Sequence, residues 1–135
     1  MLTVGLGLRA AGRGPTVQGV AVKLFLDDER DPCEVPDLGD PDQWLTVRDA
    51  LTCIAVLGCG GVAELSLDHD LGTEETGYTV ALWLEQALHD GLPVPQRVYL
   101  HTANPVGRGR MRSALRAFPD VRVAYPSGRK FCADT

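Results

Sequence analysis

The sequence predicts a three-layer α/β/α sandwich built on a five-stranded parallel sheet. Short apolar runs alternate with segments whose apolar residues recur at helical spacing, and acids or histidines follow three of the apolar runs. Strands that alternate with helices pair in parallel through right-handed crossovers, so helices cover both faces of the sheet. A chain of 135 residues suffices for one such domain but not for two.

Three strands and one helix are predicted in the first half of the chain. Apolar residues 20–26 form the first strand, and the three prolines that follow restrict the next segment to loop with at most one short turn. Residues 44–47 form the second strand. From residue 48 to about residue 57 apolar positions recur at helical spacing until glycines end the pattern, and residues 62–67 form the third strand.

The second half is predicted to contain two helices and two strands. Residues 78–89 place apolar side chains on one helical face, and residues 97–100 form the fourth strand. A further helix is expected from Met111 to Phe118, and a fifth strand from Val121 to Tyr125. This order completes the predicted alternation of strands and helices.

Residues 1–19 are rich in glycine, alanine and arginine and show no periodicity. They are predicted to form a flexible extension, which leaves residues 20–135 for the α/β domain. The stretch lacks the basic and apolar regions of a signal peptide. A glycine-rich match to a dinucleotide-binding loop within it has no preceding strand, so that interpretation is set aside.

Charge and cysteine usage limit the class of protein. Thirteen basic and 18 acidic residues give a net charge of −5, which argues against sequence-independent binding of duplex nucleic acid but leaves room for a local basic patch. No apolar run reaches bilayer length, so no membrane contact is expected. The cysteines show no CxxC pairing and are expected to be reduced thiols in a cytoplasmic protein. They are Cys33, Cys53, Cys59 and Cys132.

Three of the predicted strands end in acids or histidines. The carboxyl ends of parallel strands lie along one edge of a sheet, so these side chains are expected to converge although they are scattered along the sequence. Such an edge is where open α/β folds place their chemistry. The converging residues are Asp27, Asp28, Asp68, His69, Asp70, His101 and Thr102.

Several carboxylates at one edge repel one another unless a divalent cation neutralises them. The expected cofactor is therefore Mg²⁺ or Mn²⁺. Asp27 and Asp28 are predicted ligands together with one of Asp68 and Asp70. Asp68 is assigned to the metal, and Asp70 is assigned to catalysis beside its neighbour His69.

Two histidines add proton-transfer chemistry to this edge. Imidazole exchanges protons near neutral pH, so one of His69 and His101 is predicted to activate water while the other protonates a leaving oxygen. His89 lies in the last turn of a predicted helix, where a cation complements the helix dipole, and receives no chemical assignment.

Three further residues are predicted to bind a phosphoryl group. Thr102 offers a hydroxyl and Arg30 a guanidinium, and Asn104 opens a loop of backbone amides before a helix. Asn104 serves equally well as a helix cap, and Arg30 as an ion-pair partner of a neighbouring acid. Arg108 and Arg110 are interpreted as solvated charges at a helix start.

The chain resembles the receiver domains of bacterial response regulators. Asp27-Asp28 match their acidic pair, Asp68 falls on their phosphoacceptor aspartate, and Thr102-Ala103 falls on their Thr-Ala. Two departures stand out. Tyr125-Pro126 replaces the Lys-Pro after the fifth strand, leaving only Arg129 or Lys130 to reach back, and the proline-rich loop shortens or replaces the first helix of the flavodoxin-like receiver topology.

Four motifs in order are similar to a narrower group, the cyclic-phosphate processing receiver-like domains. They are Leu26-Asp27-Asp28-Glu29-Arg30-Asp31-Pro32, Ser66-Leu67-Asp68-His69-Asp70-Leu71-Gly72, Thr76-Gly77-Tyr78 and His101-Thr102-Ala103-Asn104-Pro105-Val106-Gly107. The resemblance covers residues 22–125. It implies a metal-dependent phosphoesterase that acts on a cyclic-phosphate-containing nucleotide or RNA end.

Two alternatives stay open at this point. The domain is either a signalling receiver phosphorylated on Asp68, or an interaction module that keeps the scaffold without catalysis. In the preferred interpretation the partner is the substrate itself, a cyclic nucleotide or a cyclic-phosphate nucleic-acid end. Stable binding of duplex nucleic acid is not expected.

Overall fold

The computed structural model describes residues 21–127 and contains five strands and three α-helices within them. Three single-turn 3-10 helices lie between the first two strands. The predicted receiver-like α/β fold is confirmed. The strands are β1 (Val22–Leu26), β2 (Trp44–Val47), β3 (Val62–Leu67), β4 (Arg97–Leu100) and β5 (Val121–Val123); the α-helices are α1 (Ala50–Gly58), α2 (Gly77–His89) and α3 (Pro105–Ala114); the 3-10 helices are Pro32–Glu34, Pro36–Leu38 and Pro41–Gln43.

All five strands are parallel in the order β2-β1-β3-β4-β5. The register aligns Leu26 with Leu67 and Leu67 with Leu100 across the three central strands. Backbone hydrogen bonds continue this ladder by one residue, from Asp68 N to Leu26 O at 3.0 Å and from His101 N to Leu67 O at 2.9 Å. The polar residues after β1, β3 and β4 therefore form the next cross-strand row.

The two faces of the sheet pack against different layers. Alternate strand residues such as Leu24, Leu65 and Val98 pack with buried side chains of α1, α2 and α3 in the larger core cluster. The opposite face carries Phe25 and Tyr99, which pack with residues of the proline-rich segment. In the described part of the chain, the 3-10 helices thus provide the second layer, because closely spaced prolines prevent a long helix there. The residues that the segment and its flanks contribute to this smaller cluster are Val35, Leu38 and Trp44.

Helix α3 begins earlier than predicted and ends earlier. The expected span was Met111 to Phe118, whereas the helix runs from Pro105 to Ala114. Asn104 caps its first turn by accepting a hydrogen bond from the Gly107 amide at 3.0 Å, and a proline at the first helical position suits the start of a helix. Two glycines in the first half of the helix had obscured this start in the sequence.

Other expectations differ from the structure or concern residues outside the described range. The fifth strand ends at Val123 instead of Tyr125, and the loop after β1 contains three short turns instead of one. The expectation of reduced cysteines is wrong for Cys33, which is disulfide-bonded, whereas Cys53 and Cys59 are free thiols. The predicted extension over residues 1–19, and Arg129 and Lys130, lie outside the described residues. Within residues 21–127, no helix is long and apolar enough to cross a membrane.

Two leucines of α2 provide a matched test of the core. Leu84 is fully buried, whereas Leu82 is 43% exposed. Leu84→Ala is expected to lower the free energy of unfolding by about 2–5 kcal/mol, because it removes buried methyl groups and leaves a cavity. Leu82→Ala is expected to cost less than about 1 kcal/mol. Urea unfolding of both variants measures the difference, and equal losses would contradict this packing of α2.

Candidate metal and phosphate site

A cavity of about 290 Å³ opens at the carboxyl ends of the central strands. Its walls come from the segments that follow β1, β3 and β4, as the cross-strand row of polar residues requires. Four of the lining residues are aspartates, which gives the cavity an acidic interior. The lining residues are Asp27, Asp28, Glu29, Arg30, Asp68, Asp70, Gly72, Thr102 and Ala103.

Asp27 is a fully buried carboxylate at the base of this cavity. Its Oδ1 accepts hydrogen bonds from the backbone amides of Glu29 at 2.9 Å and Arg30 at 2.8 Å, and its Oδ2 lies 3.0 Å from His101 Nε2. Burial by itself raises the pKa of a carboxyl group, but the bond from His101 and the two amide bonds outweigh it and lower the pKa of Asp27 to about 2. Asp27 is therefore a fixed negative charge at neutral pH.

Asp68 lies next to this charge, and its pKa is raised, whereas that of Asp27 is lowered. Its side chain is 4% exposed and accepts a hydrogen bond from the His69 amide at 2.8 Å. Burial and the negative charge of Asp27 raise the pKa of Asp68 to about 7, against the lowering effect of the His69 amide and the Thr102 hydroxyl. Without a neutralising cation, Asp68 is therefore protonated in a large fraction of molecules at neutral pH.

Asp28 forms the third carboxylate of the cluster. Burial and repulsion from Asp27 and Glu29 raise its pKa. Its Oδ2 lies against Gly72, where an added Cβ would come within 3.3 Å, and Gly72 has a φ of +69° that favours glycine. The turn after β3 therefore packs closely onto the acidic pair after β1.

His101 belongs to the interior of the sheet and not to the wall of the cavity. Its ring is fully buried and stacks on Phe25 with centroids 4.6 Å apart and planes 3° from parallel. Burial lowers the pKa of His101, so the ring is neutral at neutral pH. The Nε2–H then donates to the Asp27 carboxylate, and Nδ1 accepts from the Ser66 hydroxyl at 2.6 Å. This arrangement holds Asp27 in place and gives His101 a positioning role.

His69 lies beside the cavity and pairs with an exposed acid. Its Nδ1 donates to Asp70 Oδ1 at 2.9 Å, which directs the lone pair of a neutral ring to Nε2. The imidazole is 15% exposed and the Asp70 carboxylate 66% exposed. The ring packs on Gly107 of α3 so closely that an added Cβ would lie 2.5 Å from its Cγ atom. Glycine at position 107 is therefore required for this placement of His69.

The predicted phosphate-binding residues occupy different positions. Thr102 is buried in the cavity wall, where its Oγ1 accepts from the Asn104 amide at 3.1 Å. Asn104 caps α3, and its side-chain amide lies 3.4 Å from Asp70 Oδ2. Arg30 lines the cavity with a guanidinium that is 31% exposed and 3.5 Å from Asp27 Oδ2.

The donor set fits a hard divalent cation. Possible ligand atoms of Asp27, Asp68 and His101 all lie within 4.8 Å of one another. Because His101 Nε2 already donates to Asp27, the available donors are carboxylate oxygens, which Mg²⁺ and Mn²⁺ prefer. Burial and, second, repulsion from Asp27 raise the pKa of Asp68, and a bound cation would offset that repulsion. Asp27 and Asp68 offer carboxylate oxygens to such an ion, and Asp28 lines the same cavity.

Four residues that support the site were given no structural role in the sequence analysis, although three of them, Ser66, Gly77 and Gly107, lie in its motifs. Ser66 and Phe25 hold the His101 ring, and Gly107 provides the surface on which His69 packs. Gly77 opens α2 directly against Asp68, where a Cβ would clash with the backbone oxygen. The alternation of side chains along the strands would have indicated Ser66 and Phe25, because both share a sheet face with His101.

Comparison with known proteins agrees with this geometry. Residues 22–117 match the family described as the cyclic-phosphate processing Receiver domain. Among solved structures, the chain is similar to the response regulator protein TrrA of Thermotoga maritima, determined in complex with Mg²⁺-BeF. The identity is 18%, the match covers 76% of this chain and 85% of that chain, and the TM-score is 0.51, which supports the fold. No curated protein matches the chain. The chain belongs to the family of cyclic-phosphate processing receiver domains.

Proposed function

We propose that this domain is a divalent-cation-dependent phosphoesterase that opens the cyclic phosphodiester of a nucleotide or of an RNA end. The observation that carries the proposal is the convergence of four aspartates on one cavity with the His69–Asp70 pair beside it. The family to which the chain belongs supports a cyclic phosphate as the substrate. The acidic cavity explains the need for a cation.

Asp27, Asp28 and Asp68 would hold the cation. The similar response regulator of Thermotoga maritima was crystallised in complex with Mg²⁺-BeF, which supports Mg²⁺ as the cation. When bound, such an ion withdraws charge from phosphoryl oxygens as a Lewis acid. The fixed charge of Asp27 is maintained by His101, which acts on the reaction only through that carboxylate.

His69 is the proton acceptor in this proposal. Asp70 fixes its tautomer, so Nε2 takes a proton from the water that attacks phosphorus while the phosphorus–oxygen bond to the ribose breaks. The cavity is open to solvent at Asp70, so the departing ribose oxygen takes its proton from a solvent water molecule. Arg30 attracts the anionic phosphate to the mouth of the cavity.

This assignment modifies the expected use of two histidines. The sequence predicted that the two imidazoles would act as acid and base. Because His101 is fully buried and hydrogen-bonded to Asp27, in this proposal His69 is the base and His101 only positions Asp27. The receiver and interaction-module alternatives share the same fold. The His69–Asp70 pair favours hydrolysis, because neither alternative requires a base beside the cavity.

Asp68→Asn is expected to abolish turnover. A screen of 2′,3′- and 3′,5′-cyclic nucleotides and of RNA ends carrying a cyclic phosphate, with Mg²⁺ or Mn²⁺, should identify a substrate whose hydrolysis stops in excess chelator. Loss of the cation site should lower kcat/KM more than about 10²-fold, because metal catalysis contributes several kcal/mol. Asp42→Asn removes an exposed acid outside the cavity and is the control. Turnover that persists in chelator, or a stable phosphoryl adduct on Asp68 with a small phosphodonor, would contradict the proposal.

Two glycines of α3 test the role of His69. Gly107→Ala places a methyl group 2.5 Å from the His69 ring, whereas Gly109→Ala has no atom within 4 Å of the new Cβ. Gly107→Ala should displace the base and lower kcat/KM by about 10²-fold or more, as His69→Ala should. Gly109→Ala should keep full turnover and stabilise the helix by about 0.5–1 kcal/mol. Steady-state kinetics and urea unfolding measure both effects, and full activity of Gly107→Ala would exclude this position of the base.

The raised pKa of Asp68 predicts a pH-dependent stability in the absence of metal. The folded protein binds a proton at Asp68 up to about pH 7, whereas the unfolded chain releases it near pH 4, so folding stability falls as pH rises from 4 through 7. The melting temperature of the metal-free protein should therefore decrease from pH 5 to pH 8. Asp68→Asn or saturating Mg²⁺ should each reduce this decrease. An unchanged pH profile in Asp68→Asn would show that Asp68 is not the titrating group.

A further inference from the structure

Positive charge is concentrated on α3, directly beside the acidic cavity. Residues 91–119 contain five arginines and no aspartate or glutamate, in a chain with a net charge of −5. Thr102 and Ala103 line the cavity and lead within two residues into α3. Four of the five arginines lie in this helix or just beyond its end. They are Arg108, Arg110, Arg112 and Arg116.

These four arginines have no acidic partner among residues 21–127. Every other arginine in that range pairs with a carboxylate within 4.0 Å, as Arg48 does with Asp31 and Arg122 with Asp120, and the lysine in that range, Lys23, pairs with Glu64. Arg108 and Arg116 donate instead to backbone oxygens, and Arg108 and Arg110 lie over tyrosine rings. Their charge is thus not neutralised by the described part of the protein.

Two of these arginines lie on tyrosine rings at the level of the cavity. Arg108 donates from Nη2 to the Thr102 backbone oxygen at 3.1 Å, and its guanidinium lies 5.8 Å from the Tyr125 ring centroid. Arg110 lies 4.6 Å from the Tyr78 ring centroid on the other side of α3. Tyr125 is 62% exposed. Arg108 and Arg110 thus flank the buried side of α3, and Arg112 is exposed between them. We call the surface that crosses α3 from Tyr125 to Tyr78 over these three arginines the arginine–tyrosine face.

We infer that the arginine–tyrosine face binds the backbone of a single-stranded RNA whose cyclic-phosphate end lies in the cavity. This inference rests on the proposed function and selects the polymeric substrate. A mononucleotide places its one phosphate in the cavity and leaves the arginines without partners. A strand supplies further phosphates to the arginines of α3, and the exposed Tyr125 ring offers a surface on which a single-stranded base stacks, whereas Tyr78 is partly buried and serves to hold Arg110.

The chemistry of the terminal phosphate identifies the polymer as RNA. A cyclic phosphate at the 3′ end of a polynucleotide bridges the 2′ and 3′ oxygens of one ribose, which DNA cannot form because it lacks the 2′ oxygen. The face is limited to one short helix and its neighbours, and the rest of the chain is acidic overall. Binding is therefore expected to involve the few nucleotides that precede the cyclic end.

The test compares a strand with a single nucleotide in equilibrium binding to the full chain. A fluorescently labelled hexauridylate with a 3′-phosphate, which contains no ring to hydrolyse, is titrated with protein and Mg²⁺, and unlabelled uridine 3′-monophosphate competes with it. The strand should bind at least about tenfold more tightly than the nucleotide. In a plot of the logarithm of its affinity against the logarithm of the salt concentration, the slope should be about −0.7 for each phosphate that the protein contacts. Equal affinities would overturn the inference.

Arg110→Gln and Arg122→Gln remove the same charge from two surfaces. Arg110 belongs to the face, whereas Arg122 is already paired with Asp120. Arg110→Gln should weaken hexauridylate binding by about threefold or more, lower its salt slope by about 0.7, and leave binding of uridine 3′-monophosphate unchanged. Arg112→Gln, at an exposed position, should act in the same direction. Equal losses in Arg110→Gln and Arg122→Gln would indicate unspecific attraction and overturn the inference.

The outcomes separate this inference from the proposed function. If no cyclic phosphate is hydrolysed but hexauridylate binds through Arg110, the strand-binding face stands and the phosphoesterase proposal fails. If cyclic mononucleotides are hydrolysed but hexauridylate binds no more tightly than its nucleotide, the phosphoesterase proposal stands and the face does not bind RNA.

Discussion

The buried hydrogen bond between His101 and Asp27 is the interaction on which the cavity depends. A carboxylate removed from water normally gains a proton, yet Asp27 has a pKa of about 2 because His101 and two backbone amides donate to it. Burial of Asp68, together with the charge fixed in this way, raises the pKa of Asp68 to about 7. A cation would relieve the repulsion between the two carboxylates, so in the proposed function the affinity for a cation depends on His101, which the substrate would not contact. The register of β1, β3 and β4 brings these three residues into one row.

The surroundings of His101 determine which state of the ring can exist. Ser66 donates to Nδ1 and Phe25 covers the ring, so a second proton on the imidazole would lose the bond from Ser66 and bury a positive charge. A neutral ring with its proton on Nε2 satisfies every partner. Ser66 and Phe25, on the sheet face beneath the 3-10 helices, therefore hold the His101 ring in the state that binds Asp27. Because His101 is fully buried, it cannot exchange protons with solvent during the proposed reaction.

The sequence predicted the edge of the sheet at which the acids and histidines converge, but not that His101 would be fully buried while His69 stays partly exposed. Alternation of strands and helices is enough to bring the ends of β1, β3 and β4 to one edge, so the carboxylate cluster was predictable from Asp27 and Asp68. The side of the sheet to which a side chain points depends on the pleat of the strand. The His101 side chain lies on the same side as those of Phe25 and Ser66. The start of α3 was missed because glycines weaken a helical pattern. The His69 ring occupies the space that a side chain at position 107 would need. Glycine is therefore required there despite its low helix propensity.

The distribution of charge divides the carboxyl edge of the sheet into two parts. Carboxylates after β1 and β3 collect where a cation is needed, and arginines without acidic partners among residues 21–127 collect on α3. The acidic chain as a whole repels an anion, whereas Arg108 and Arg110 beside the cavity attract one. In the proposed complex, a strand bound at α3 would have its terminal phosphate directed toward Thr102, and its orientation would be set before it reaches the proposed cation site.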